Sequence, residues 1–233
     1  MFSFKRLSVL LIMAVFAVSI VAAQNNSKRE MSVEESYLQE SIEMMIIRET
    51  IRSNSRDSKI IGLGYISEAI NRGSTNDEIR QILQELALEG TSSITRENGR
   101  VVNNYPDIRR QAVKYLGQLG TEEAKSSLLT ICQVESEPMV LQEVIKSLGE
   151  IGTNENNETI ELIVWIVKKF DNTKPDNLLA IATIEAIEKI SKNNNVGFNS
   201  HAIQLLLRFT EGPYAKSVQE RAKQSIAGLR SNN

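Results

Sequence analysis

Residues that could carry acid–base, nucleophilic or metal chemistry are few in this chain. His201 is the only histidine and Cys132 the only cysteine, so a zinc site with four Cys or His ligands is excluded, and a histidine base would act without a second histidine. Gly62-Leu63-Gly64 is a fragment of a nucleotide-binding loop that lacks the third glycine and a preceding strand. The sequence therefore predicts no catalytic, cofactor-binding or metal site.

Both of these unique residues have structural interpretations. His201 follows Asn199-Ser200, a pair suited to capping a helix, so we expect an exposed histidine in a first helical turn. Cys132 ends the apolar stretch 128–132. We expect it to be buried as a small hydrophobic side chain rather than to act as a reactive thiol.

The composition is that of a folded, helical protein with a slightly acidic surface. Hydrophobic residues make up 41% and charged residues 24% of the 233 residues, which excludes wholesale disorder, whereas 5% aromatic residues is low for a large β-protein. The formal net charge is −2, and it becomes −4 once Lys5 and Arg6 are removed. This balance gives no electrostatic reason to expect nucleic acid as a partner.

Residues 1–23 have the pattern of a secretory signal peptide. Lys5 and Arg6 form a short basic region, an apolar run follows over residues 7–22, and Val21-Ala22-Ala23 supplies the small side chains of a cleavage site. Cleavage at this site would start the mature chain at Gln24, with residues 24–31 as a flexible N-terminus.

The same pattern predicts where the protein acts. We expect export to the periplasm of a two-membrane bacterium, with no stable membrane span once residues 1–23 are removed. Two alternatives are a secreted protein and a protein anchored by its uncleaved N-terminal segment.

Four prolines indicate a repeated unit in the rest of the chain. Pro106, Pro138, Pro175 and Pro213 are spaced by 32, 37 and 38 residues. Each precedes an apolar pattern of helical period, and a proline in the first turn of a helix costs no hydrogen bond. Spacings of this size are typical of stacked supersecondary units.

The sequence after the first proline repeats after the second. Ile108–Gly120 superposes on Val140–Gly152 with a shift of 32 residues, and both segments have matching glycines and an identical lysine, Lys114 or Lys146. The apolar stripes between these first helices predict second helices, at 77–88, from Thr121 onward, at 159–170 and at 201–209.

Short helix pairs with Ile-Arg-x-x-Ala-Val-x-x-Leu-Gly-x-Leu-Gly in the first helix, here residues 108–120, resemble HEAT repeats. The Asp that usually precedes the Ile-Arg is present as Asp107 and is absent from the repeat at 138. The resemblance implies an all-α fold, a right-handed α-solenoid of four to five HEAT-like helix pairs. It also implies that the second helices line the concave side, where ligands of such arrays usually bind.

A single HEAT-like repeat domain is therefore expected over residues 32–233. It would consist of a capping helix at 32–53, an exposed loop at 91–106, and repeats at 57–90, 107–134, 138–170, 175–210 and 213–230. The loop contains Asn98-Gly99, which suits a small hairpin, and no other sheet is expected. The capping helix has an apolar stripe of Leu38, Ile42, Met45 and Ile46. Four equivalent core positions are predicted, Leu116, Leu148, Ile187 and Ile226.

A solenoid of this kind favours binding of a protein or an extended peptide. The predicted partner-binding residues, all on second helices, are Arg80, Lys125, Glu161, Trp165, Lys168, Lys169 and Arg208. The cations of the first and third of these helices would either form a mildly basic strip or simply solvate their helices. Trp165 is the only tryptophan, and at about 100° per residue it falls on the polar side of its helix. It is either an anchor for a partner or a residue packed against the adjacent repeat.

The function expected from these patterns is that of an exported, non-enzymatic scaffold for protein–protein interaction, without cofactor or nucleic acid. One alternative is a structural subunit of an envelope or cell-surface assembly. The other is a HEAT-like enzyme of the lyase type, which would need a deep pocket with convergent ionisable groups.

Overall fold

The computed structural model describes residues 32–171, 175–193, 201–211 and 213–231. The predicted signal peptide, the N-terminal segment 24–31 and the predicted cap Asn199-Ser200 lie outside these residues. Within them the chain forms ten α-helices: α1 Val33–Arg52, α2 Arg56–Asn71, α3 Asp77–Leu88, α4 Pro106–Leu119, α5 Glu122–Val134, α6 Pro138–Ile151, α7 Glu158–Asp171, α8 Asn177–Asn193, α9 His201–Phe209 and α10 Lys216–Ser231.

The chain divides into two compact units, Met1–Met44 and Met45–Asn233, and the division falls within α1. The larger unit is an all-α solenoid, as expected. It contains four helix pairs, α2/α3, α4/α5, α6/α7 and α8/α9, followed by α10 as a fifth first helix. Consecutive first helices pack side by side in one layer and consecutive second helices in another. The organisation of 32–233 as one domain stays a prediction.

Local sequence explains where the two best-matched first helices begin and end. Pro106 and Pro138 occupy the first turn of α4 and α6, where a missing N–H leaves no bond unmade. Gly120 and Gly152 end the same helices with φ of 68° and 74°, a left-handed conformation that glycine adopts without steric cost. These four residues therefore set the ends of α4 and α6.

The predicted core positions are confirmed. Leu116, Leu148 and Ile187 are completely buried, and Ile226 is buried as well. Cys132 is also buried, and this burial raises the pKa of its thiol well above the usual range. The single thiol therefore stays protonated and packed in the folded chain, as the sequence indicated.

The apolar stripe predicted for α1 is wrong. Leu38, Ile42, Met45 and Ile46 are exposed, whereas the buried apolar residues of this helix are Met44, Ile47 and Ile51. The segment 44–47 reads Met-Met-Ile-Ile, so apolar side chains cover more than one face of the helix there. Periodicity alone could not decide which of these faces is buried.

A small β-hairpin forms in the loop between α3 and α4. Strands β1, Arg96–Glu97, and β2, Arg100–Val101, pair antiparallel around Asn98-Gly99. Both turn residues have positive φ, 50° and 80°, as hairpin turns of this type require. The hairpin is thus confirmed, and it is the only sheet among the described residues.

The loop that carries the hairpin is mostly exposed but has a buried attachment point. Asn103 is buried; its side-chain carbonyl accepts a hydrogen bond from the Thr95 N–H at 2.9 Å, and its amide donates to the Ser93 carbonyl at 2.7 Å. The loop therefore has a defined conformation near its base, which the polar composition of 91–106 did not reveal.

Glycines allow consecutive first helices to touch through their backbones. A Cβ atom on Gly117 of α4 would lie 2.6 Å from the side chain of Ser147 on α6, and one on Gly149 of α6 would lie 2.6 Å from the Cα of Ala186 on α8. Real Cβ atoms do not approach other atoms this closely. The matching glycines of the repeat are therefore sites of close helix packing.

Buried ion pairs join first helices to the ends of second helices. Arg109 in α4 donates to the Glu135 carboxylate at 2.8 Å, and each residue is only 3% exposed. The same carboxylate accepts hydrogen bonds from the N–H groups of Ser136 and Glu137, just before α6. Arg109 and Glu135 therefore hold α4, the end of α5 and the start of α6 together.

The preceding repeat has an equivalent pair. Lys59 of α2 is buried, with its Nζ 2.8 Å from a Glu89 carboxylate oxygen and 2.7 Å from the Ile51 carbonyl oxygen. The Glu89 carbonyl in turn accepts a hydrogen bond from Arg109 at 3.3 Å. Polar contacts thus run without a break from the end of α1 to the start of α6.

Replacing a packed glycine should destabilise the array. We expect Gly149→Ala to lower the free energy of unfolding by about 1–3 kcal/mol, because the added methyl group would overlap Ala186. Gly64→Ala in α2 is the matched control, since a Cβ there meets nothing within 4 Å. It should instead raise stability by about 0.5–1 kcal/mol through helix propensity. Urea denaturation measures both; equal effects of the two variants would contradict the packing role.

Breaking the buried ion pair should cost more than breaking an exposed one. Arg109→Met would leave the buried Glu135 carboxylate without its cation, so we expect a loss of about 3–5 kcal/mol in unfolding free energy. Arg221→Met is the control, because Arg221 and Glu188 form two 2.6 Å hydrogen bonds but are both partly exposed. Its expected cost is about 1 kcal/mol or less. If chemical denaturation gave comparable losses of unfolding free energy for the two variants, burial would not determine how much these ion pairs stabilise the fold.

Candidate partner-binding surface

The second helices α3, α5, α7 and α9 lie in consecutive order in one layer, and we call their solvent-facing side the second-helix face. All seven residues predicted to bind a partner lie on these four helices. The structure brings Glu161, Trp165, Lys168 and Lys169 together on α7. It places Arg80, Lys125 and Arg208 on three other helices, where each has partners within the protein.

Arg80 is occupied by contacts with its own helix and the next one. Its guanidinium donates to the Asp77 carboxylate at 2.6 Å, to Gln84 at 3.0 Å and to the Ser127 hydroxyl of α5 at 2.9 Å. The hydrogen bond from Arg80 holds the pKa of Asp77 below its usual range. Arg80 therefore connects α3 to α5 instead of facing a partner.

Lys125 is not on the surface, and this corrects its prediction as a partner-binding residue. The residue is only 2% exposed, and its Nζ lies 2.6 Å from Glu122 and 2.8 Å from Glu158 at the start of α7. Burial alone would lower the pKa of Lys125, but the hydrogen bonds to the two carboxylates outweigh burial and raise it. The aliphatic chain is packed in the helix layer, so the ammonium serves as a link between α5 and α7.

Two further polar contacts join α7 to α9. His201 Nδ1 lies 2.6 Å from a Glu161 carboxylate oxygen, and both side chains are about half exposed. Nearer the end of α7, Arg208 donates to Asp171 at 3.0 Å, and Asp171 also accepts a hydrogen bond from Tyr214 at 2.6 Å. Hydrogen bonding to Asp171 raises the pKa of Arg208. His201 is exposed in a first helical turn, as the sequence indicated.

The part of the second-helix face without such cross-helix bonds is centred on Trp165. The indole is 51% exposed, and Lys169 Nζ lies 5.3 Å from the centroid of one of its rings, within the range of a cation–π interaction. Lys168 is exposed and has no carboxylate partner among the residues that the structure describes. We call Trp165, Lys168 and Lys169 the tryptophan patch.

Sequence reasoning missed the carboxylates that engage the predicted cations. Glu158 and Asp171 lie at opposite ends of α7 and bond to residues of α5 and α9. Spacing along one helix identifies partners three or four residues apart, such as Glu122 for Lys125. It gives no signal for a partner on the next second helix.

The single His–carboxylate pair, His201 and Glu161, is solvent-exposed, so water is not excluded from it as a catalytic cleft requires. In the described ranges no three His, Cys, Asp or Glu side chains converge as a metal site would need. No described helix has the length and apolar character of a membrane span.

Comparison with known families agrees with the repeat pattern. Residues 101–166 match the family model of HEAT repeats, a segment that contains α4, α5, α6 and most of α7. No curated protein matches the chain. HEAT repeats generally serve as protein-interaction scaffolds. Residues 101–166 are therefore similar to HEAT repeats, and the described helices form an all-α solenoid that is consistent with repeats of this type.

Proposed function

We propose that this protein is an exported, non-enzymatic scaffold that binds a protein partner through the tryptophan patch. The observation that carries the proposal is the half-exposed Trp165 with Lys169 over its ring. A large amphipathic ring held at the surface is the kind of side chain that dominates binding energy at protein interfaces.

The surroundings of Trp165 support the same site. The cross-helix bonds of Arg80, Lys125, Glu161 and Arg208 keep neighbouring second helices in place, so a partner meets a preformed surface. Lys168 and Lys169 add two positive charges beside the indole. These charges favour a partner segment with acidic residues around an apolar side chain, on a chain whose own net charge is −2.

Export to the periplasm is the second part of the proposal. It is supported by the basic region, the apolar run and the small residues before Gln24. The buried thiol of Cys132 is compatible with an oxidising compartment, because a packed, protonated thiol is inert.

The mature protein should begin at Gln24. We expect N-terminal sequencing of the protein from the periplasmic fraction to start with Gln-Asn-Asn, since signal peptidase cleaves after small residues such as Ala23. Ala23→Leu should slow this processing, and Ser27→Leu, beyond the cleavage site, is the control. Recovery of Met1 or Phe2 from a membrane fraction would show an uncleaved anchor instead.

The partner should crosslink to position 165 in living cells. A photoreactive side chain in place of Trp165 is expected to form a discrete protein adduct that mass spectrometry identifies. The control position is Leu178, which is 67% exposed but lies on the first-helix layer, in α8. Equal adducts from both positions would contradict a specific patch.

The identified partner then gives a direct binding test. Replacing Trp165, Lys168 and Lys169 by alanine should leave the melting temperature nearly unchanged, because all three are exposed, and should weaken binding by about tenfold or more. Leu178→Ala should bind normally. If the triple variant binds normally and changes in 91–106 abolish binding, the hairpin loop is the binding site and the tryptophan patch is not.

A further inference from the structure

A groove opens on the first-helix layer, away from the residues of the tryptophan patch. It has a volume of about 610 Å³ and is formed by side chains of α2, α4 and α6. Its accessible apolar residues are Ile60 of α2, which is exposed, and Met139 of α6, which is half-buried, and the buried Leu63, Ile108 and Tyr115 lie beneath them. A large apolar side chain of a partner could therefore be covered there by three helices.

Gly64 keeps the groove open on the side of α2. A Cβ atom at Gly64 would meet nothing within 4 Å, so no packing constraint explains a glycine in the middle of this helix. Gly64 lies five residues after Lys59, as Lys114 lies five residues after the equivalent Arg109. The position that holds a long side chain in α4 is thus empty in α2.

The charges that line the groove leave an excess of cations. Arg110 binds Glu143 at 3.1 Å, and Lys146 lies 4.0 Å from the same carboxylate. Asp107 is paired with Arg56 at 2.5 Å. Both carboxylates of the groove are therefore engaged within the protein.

Lys114 is the remaining cation of the groove. It is exposed and has no carboxylate partner among the described residues, and Lys146 beside it shares Glu143 with Arg110. The groove is thus locally positive on a chain with a net charge of −2. An anionic group on a partner would form ion pairs with Lys114 and Lys146.

We propose that this groove binds a peptide segment of a partner protein, which places an apolar side chain against Ile60 and Met139, over the buried Tyr115, and a carboxylate against Lys114 and Lys146. An extended segment can cross all three helices that form the groove, and apolar burial together with charge pairing gives both affinity and orientation. This site is separate from the tryptophan patch and does not depend on it.

The test begins with selection of short random peptides displayed against the intact chain. We expect the bound peptides to combine a large apolar residue with neighbouring Asp or Glu. Fluorescence polarisation with a labelled copy of the best peptide then measures its affinity for the wild type and for the variants. If the selected peptides are not enriched in acidic and large apolar residues, the proposal is overturned.

Gly64→Leu is the decisive variant, because its side chain would fill the groove without meeting the packed core. It should weaken peptide binding by about tenfold or more while the melting temperature is maintained or raised. Gly228→Leu in α10 is the control, since a Cβ there also meets nothing within 4 Å. Undiminished binding to folded Gly64→Leu would overturn the proposal.

Charge is tested separately. Lys114→Gln with Lys146→Gln should weaken binding by about tenfold or more, whereas Lys216→Gln with Lys223→Gln, in α10, should leave it unchanged. Trp165→Ala should also leave it unchanged. If Trp165→Ala abolishes binding of the selected peptide and Gly64→Leu does not, the peptide binds the tryptophan patch and the groove proposal fails.

Discussion

The close approach of α4, α6 and α8 is the constraint on which the rest of the array depends. Gly117 and Gly149 place the backbone of one first helix against Ser147 and Ala186 of the next. Since nothing larger than glycine fits at these two positions, they fix the separation of the first helices. That separation determines which loops and second helices can lie beside each other, and it brings Arg109 within reach of Glu135.

The second-helix face follows from this separation. Its polar residues link each second helix to the next, Arg80 to Ser127, Lys125 to Glu158, Glu161 to His201 and Asp171 to Arg208. In a repeat array each unit contacts only its neighbours, so these links contribute to the stability of the interfaces between adjacent units. The predicted partner-binding residues Arg80, Lys125, Glu161 and Arg208 therefore link neighbouring helices, whereas the described residues of the tryptophan patch make no such cross-helix bond.

Much of the fold was predictable because its determinants are local. Pro106 and Pro138 mark helix starts, Gly120 and Gly152 mark helix ends, and Leu116 and Leu148 repeat at one spacing. The candidate site was less predictable. The sequence left open whether Trp165 is exposed or packs against the adjacent repeat, and its 51% exposure decides this. The burial of Lys125 depends on Glu158, which the length of the intervening loop and α6 bring into contact. The buried face of α1 was missed for a related reason, since apolar residues occur on more than one side of it.

The glycine contacts do not extend to the last first helix. In the place that corresponds to Gly149, α8 has Glu188, which reaches Arg221 of α10 through a partly exposed ion pair. The block of α4, α6 and α8 is joined by backbone contacts that must separate together, whereas α10 is attached to α8 through side chains. Among the described first helices, the distance between α8 and α10 is therefore set by side chains that can change conformation, whereas the distances within α4, α6 and α8 are set by glycines that cannot be enlarged.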